Sequence, residues 1–244
     1  MSRMEASKSL RQDMPTDIGK DVVDGSTFSQ ALFNDEEIVK IRKAVIKTEF
    51  IKGMVKATLN ANYYGGYMVQ DAAYCFDAVK VFEAAAKEMK EQGMIEFSEI
   101  YQSQSTSLKK YNKQFATTWH LENAKSIVMG PAAKTYVEYE GTVSLKCPKF
   151  LAIAMLPCHM LWPWIANQLI DFVAEWNPYY KGWFEENKTD PNHKGHLEKF
   201  VDYHFVPEEK KEALDIFRKG MIHELNFFRE ACKESCFDYD FFSK

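Results

Sequence analysis

The chain has 244 residues, of which 27% are charged and 46% hydrophobic, with a formal net charge of −4 and only 11 Gly and 8 Pro. That length suits one domain with a sizeable core, and so few turn formers imply long elements, therefore helices. A net acidic chain with no Lys/Arg run interleaved with aromatics has no field to attract a polyanion, which excludes nucleic acid as a partner.

Residues 1–33 are polar, with Pro15, Gly19 and Gly25, and read as an arm or tail before a single domain over 34–244. Asn34, with an acid three residues on, has the form of a helix start, and Ile38, Ile41, Val45 and Phe50 then recur at helical spacing. Thr58–Asn62 breaks that helix. A second is predicted from Tyr63 to Lys90, with Gly65-Gly66 near its start allowing close backbone approach. Further helices are predicted over 97–122, 132–146, 149–176 and 207–234, with short helices and turns from Asn177 to His204, where Pro178, Gly182, Pro191 and Gly195 interrupt. Val137–Val143 alternates enough to fit a strand as well as a helix. The stretch from Phe150 to Ala174 is apolar enough to raise a membrane question, but His159, Asn167, Gln168, Asp171 and two prolines interrupt it, so a central core helix is expected and no membrane partner.

The five cysteines, Cys75, Cys147, Cys158, Cys232 and Cys236, form no pair of C-x-x-C motifs, so no metal site and no cofactor are expected. No signal-peptide apolar region opens the chain, which makes the cytoplasm, with reduced thiols, the expected compartment. Aromatics reach 14%, and flat side chains in that number suit either a helical core or a slot for a planar ligand.

Three segments place polar groups beside rings. Asp71 lies four residues after Tyr67 and three before Tyr74, so all three share a helix face; a buried acid there can grip a planar nitrogen base, or simply be satisfied between helices. Cys158 follows Pro157 on the most apolar helix, with Trp162 one turn on; such a cysteine packs as a small hydrophobe unless a neighbour favours its thiolate. His159 points about 100° away from it, which argues against a Cys–His dyad. Glu224, with Phe228 four residues later, is flanked by Met221, Ile222 and Leu225, so burial would raise its pKa and suit it to general-acid work.

Together these segments resemble the TenA/Thi-4 family, the thiaminase II type of aminopyrimidine aminohydrolase. Tyr67–Tyr74 looks like the family's Tyr-x-x-Gln-Asp-x-x-Tyr helix, Met155–Cys158 like its Leu-Pro-Cys segment, His223–Phe228 like its C-terminal glutamate helix, and Pro131–Tyr136 like the stretch that supplies a pocket tyrosine. The resemblance implies an all-helical bundle like that of haem oxygenase, a homo-oligomer (a tetramer), and hydrolysis of an aminopyrimidine, aminomethylpyrimidine or thiamin, to hydroxymethylpyrimidine in thiamin salvage. It also implies that Cys158 adds to the ring, Glu224 manages the proton, Asp71 holds the ring amino group, and Tyr74 and Tyr136 orient the ring. Tyr67, Phe228, Trp162 and Asn187 complete the expected pocket. Two positions depart from the pattern: Trp162 stands where the family has a tyrosine four residues after the nucleophile, and Asn187 falls near another tyrosine position. Trp162 supplies a donor but cannot relay a proton. A non-catalytic binder of a planar ligand on the same fold is therefore the alternative. A haem protein is disfavoured, since the first histidine is His120 and no axial histidine is available on the first helix.

Overall fold

The computed structural model describes residues 27–118, 126–174, 176–190 and 194–242, and among these every regular element is helical. The α-helices are α1 (Phe28–Phe33), α2 (Glu36–Val45), α3 (Glu49–Val55), α4 (Ala61–Glu91), α5 (Ile95–Thr118), α6 (Pro131–Lys146), α7 (Leu151–Leu169), α8 (Pro178–Asn187), α9 (His196–His204) and α10 (Lys210–Ala231). Single 3-10 turns precede and follow α7 and lead into α10.

The first predicted helix is two. Asp35, not Asn34, caps α2, its side chain accepting from the Glu37 N–H at 3.0 Å. Thr48 then ends one helix and starts the next, its hydroxyl donating to the Val45 carbonyl at 2.7 Å and accepting from the Ile51 N–H at 3.3 Å. The boundary at residue 34 also shifts: α1 forms before it, and Leu32 and Phe33 are buried in the core, because an apolar pair at that spacing has α9 and α10 to pack against. Val137–Val143 is helical.

Helices α4 and α5 pack along their lengths, joined by a turn in which Gly93 takes φ +76°, a conformation that favours glycine, while the Met94 N–H reaches back to the Met89 carbonyl at 2.8 Å. Helix α7 runs through the middle. Thirteen of its residues are buried, against α10, α6, α8 and α9, which accounts for the apolar stretch: the segment Pro148–Phe172 is long and apolar enough to span a membrane, yet 72% of its most apolar 18-residue window is buried inside the protein.

A close approach between two helices lies at Gly220, and none at Gly65-Gly66. A Cβ on either of the latter would meet nothing within 4 Å, whereas one on Gly220 would sit 2.7 Å from Pro157 Cγ and 3.2 Å from the Ala154 carbonyl oxygen. Pro157 lacks an N–H and loosens the α7 ladder, and α10 closes on that loosened turn, directly before Cys158. Gly220→Ala gains about 1 kcal/mol of helix propensity but overpacks a rigid contact at a cost of about 1–3 kcal/mol. A net loss of stability is expected in a urea melt, together with a displaced Cys158 turn.

Candidate active site

Five helices each contribute one face to a cavity of about 250 Å³. From α4 come Asp71, Tyr74, Cys75 and Phe82; from α5, Gln104, Ser107, Leu108 and Tyr111; from α6, Tyr136; from α7, Met155, Cys158, His159 and Trp162; from α10, Glu224 and Phe227. The spacings are those of single helical faces, i, i+3, i+4 and i+7, so regular helix geometry delivers the lining once the bundle forms.

The polar groups are held in pairs. Both Glu224 oxygens are occupied, Oε1 by the Tyr136 hydroxyl at 2.9 Å and Oε2 by the Trp162 indole N–H at 2.8 Å. Asp71 Oδ2 accepts from the Tyr111 hydroxyl at 2.5 Å. Tyr74 donates to Glu140 Oε1 at 2.9 Å, and Glu140 Oε2 is buried with no partner. The Tyr74 and Tyr136 rings lie 5.0 Å apart, so the two tyrosine–glutamate pairs run side by side.

Removal from water dominates the electrostatics. Burial pushes Asp71 up to about 6, Glu224 to about 7 and Glu140 to about 8, against the lowering effect of the hydrogen bonds each accepts. The Cys158 thiol is also pushed well up, first by burial and then by Glu224, Asp71 and Glu140, which favours its protonated form. Cys75, buried on the same cavity, is raised in the same way. His159 lines the cavity with part of its ring open to solvent; desolvation lowers its pKa, solvent access opposes that, and no hydrogen bond joins it to Cys158 among the described residues. No Lys or Arg lines the cavity, and no cluster of metal-ligating side chains occurs among the described residues.

Six of the nine residues expected at the site, Asp71, Tyr74, Tyr136, Cys158, Trp162 and Glu224, do line the cavity. Three lie elsewhere. Phe228 is fully buried and stacks on Tyr67 at 5.8 Å; on α10 the residue three after Glu224 shares its exposure to the cavity, so Phe227 holds the place expected for Phe228. Tyr67 turns away from the cavity into a ring cluster with Phe50 and Phe228, its hydroxyl buried without a well-formed hydrogen bond. Asn187, at the end of α8, donates back to the Trp183 carbonyl at 2.7 Å.

Tyr111, Glu140 and Cys75 were not expected. The α5 stripe Gln104, Ser107, Leu108, Tyr111 is a legible helical face, and Glu140 falls one turn after Tyr136; either could have been found by following the motif helices a turn further. A third support has no local signal. His223 stacks on Tyr136 at 5.0 Å and 7°, and its Nε2 meets the Tyr239 hydroxyl at 2.6 Å, while Asn226 bonds both ways with the Phe237 backbone at 2.7 and 2.9 Å. The C-terminal segment therefore braces α10 and, through His223, the ring of Tyr136.

Trp162→Phe keeps the ring but removes the donor to Glu224 Oε2. A carboxyl left with one partner is costlier to ionise, so turnover near neutral pH is expected to fall about tenfold, with the acid limb of its pH profile moved upward; an unshifted profile would count against this coupling.

An all-helical bundle enclosing an aromatic-walled, acid-bearing cavity defines a small-molecule site of the kind that suits a planar, nitrogen-rich ring. The chain belongs to the TENA/THI-4/PQQC family, whose model matches residues 36–234. Among solved structures it is similar to a TenA homologue from P. horikoshii OT3, with 21% identity, a TM-score of 0.70, and 84% of this chain and 98% of that one covered. It is also similar to a TenA homologue from Pyrococcus furiosus, with 16% identity, a TM-score of 0.63, and 84% and 99% covered, and to a TenA-like protein from Sulfolobus solfataricus P2, with 16% identity, a TM-score of 0.60, and 89% and 100% covered. At such identities these likenesses establish the fold. No curated protein sequence matches the chain significantly.

Proposed function

We propose that the protein is a thiaminase II-type hydrolase that converts an aminopyrimidine, aminomethylpyrimidine or thiamin, to hydroxymethylpyrimidine through a covalent adduct on Cys158. The observation that carries the reading is that Asp71, Cys158 and Glu224, from three different helices, line one aromatic-walled cavity. Asp71 faces the ring amino group and an adjacent nitrogen. Glu224, with its pKa near neutrality, exchanges a proton with the ring, and Tyr136 and Trp162 hold its two oxygens in place. The S–C bond forms as the thiol proton passes by way of Glu224 to a ring nitrogen. The leaving group then departs from the exocyclic carbon with the bonding pair, as ammonia from the protonated aminomethyl group or as neutral thiazole from thiamin, and leaves an exocyclic methylene conjugated with the ring. Water adds to that methylene and gives up a proton to Glu224; the S–C bond breaks with its pair on sulfur, and the proton on the ring nitrogen returns there, restoring the thiol and the aromatic ring. A tetrameric assembly and a place in thiamin salvage belong to the same proposal.

Incubation of the purified protein with aminomethylpyrimidine and, separately, with thiamin tests it. Chromatography is expected to show hydroxymethylpyrimidine from at least one of them. A folded protein that binds either compound without forming product would favour the non-catalytic binder.

A further inference from the structure

Among the described residues the cavity walls hold acids and no Lys or Arg, and the one basic group, His159, has its pKa lowered by desolvation to about 4 and so adds no positive charge near pH 7. Asp71 and Glu224 line the cavity, and Glu140, fully buried, sits behind Tyr74 with Oε2 unpartnered. No ion pair reaches any of the three among the described residues, and no cationic side chain contributes to their charge balance. The other titratable groups facing Glu140 are Tyr74 and Cys75 on α4, Tyr136 and Tyr139 on α6, Cys158 on α7 and Glu224 on α10, none of them a cation. Both phenols are committed as donors to glutamates, so their rings, with Trp162 and Phe227, present electron-rich surface. Buried carboxyls without a counterion and several aromatic faces are the two halves of a cation site.

We infer that the cavity takes its ligand as a cation, a planar ring bearing a protonated amine or a ring-borne positive charge, and that Glu140 is a specificity-determining residue for that charge although it does not itself line the cavity. The inference rests on the cavity being the ligand site proposed above, and it names the charge state of what binds there. A bound cation supplies the counter-charge that the three acids lack. It also reverses the local field that holds the Cys158 thiol protonated, so the nucleophile is readied by the arrival of the substrate.

Calorimetry at pH 7 with two matched pairs tests this. The first pair is aminomethylpyrimidine and neutral hydroxymethylpyrimidine, bound to Cys158→Ser protein. The second is benzylamine and benzyl alcohol, bound to the wild type. Each amine is expected to bind at least about tenfold more tightly than its alcohol, and Glu140→Gln to narrow that ratio about threefold, because the amide cannot give up a proton in response to a bound cation as the neutral carboxyl can. Amide replacement keeps an acceptor for Tyr74, and a circular-dichroism melt verifies that the variant is folded. Equal affinity within both pairs, or no binding of either amine, overturns the inference, and an unchanged ratio in the variant removes Glu140 from it. Charge preference without product from the wild type would retire the hydrolase reading and leave the charge selection standing.

Discussion

Glu224→Gln is expected to lower kcat about 10²- to 10⁴-fold while leaving the affinity for hydroxymethylpyrimidine within about tenfold. The carboxyl accepts from two donors, Tyr136 and Trp162, one on each oxygen. An amide has one acceptor and one NH₂ group, so one of those donors must face another donor and turn away. More important for the chemistry, burial places the acid near pH 7, where it can both give and take a proton, and an amide can do neither. The wild-type pH profile of kcat is expected to bend near 7 and the variant's to lose that bend. Steady-state assays from pH 5.5 to 8.5 measure this, and a variant retaining more than a tenth of wild-type turnover would remove Glu224 from the proton path.

The second large effect concerns stability. All three acids have folded-state pKa values above their unfolded ones, so the folded protein holds protons that the unfolded chain releases. Their stabilising contribution is fully present below the unfolded carboxyl pKa and is lost as pH rises through about 6, 7 and 8 for Asp71, Glu224 and Glu140 in turn. The buried His223 acts in the opposite sense but at lower pH: its folded pKa is depressed to about 4, so its contribution is complete above the unfolded value of 6.5. Between pH 6.5 and 8 the acids therefore set the slope. Glu140 alone accounts for a loss on the order of 1–2 kcal/mol across that interval. Glu140→Gln cannot ionise, and its melting temperature is expected to fall less than that of the wild type over the same interval. Parallel melts of the two proteins at pH 6.5 and 8 decide it, and equal slopes would mean that Glu140 is not held neutral in the fold.

Much of this was legible along individual helices and little of it between them. Asp71 with Tyr74, and Cys158 with Trp162, are one turn apart, so regular helix geometry alone puts each pair on one face. That α4, α7 and α10 bring those faces to one cavity depends on tertiary packing, which only the family resemblance anticipated. Glu140 escaped notice because an acid on a helix is ordinarily solvated; here it is covered because α6 packs against α4 and α10 at once. Phe228 was expected in place of Phe227 because a spacing of four and a spacing of three both lie near Glu224, and only the rotation of α10 in the bundle separates them. Gly65-Gly66 carried a glycine signal without a neighbour to approach, while Gly220, which does press on another helix at Pro157, stands alone in an otherwise ordinary amphipathic sequence. The brace from Tyr239 through His223 to Tyr136 links the chain's C-terminal segment to α6 across a span that no local pattern encodes.

The measurement closest to the central claim is hydroxymethylpyrimidine formation from aminomethylpyrimidine by wild-type and Cys158→Ser protein side by side, with both shown to be folded and to bind the substrate. The account predicts product from the wild type and a decrease of at least about 10³-fold in the serine variant, since a serine hydroxyl, unlike a thiol, is not nucleophilic enough for ring addition without a strong base beside it. Equal rates from the two proteins, or no product from the wild type, would contradict it.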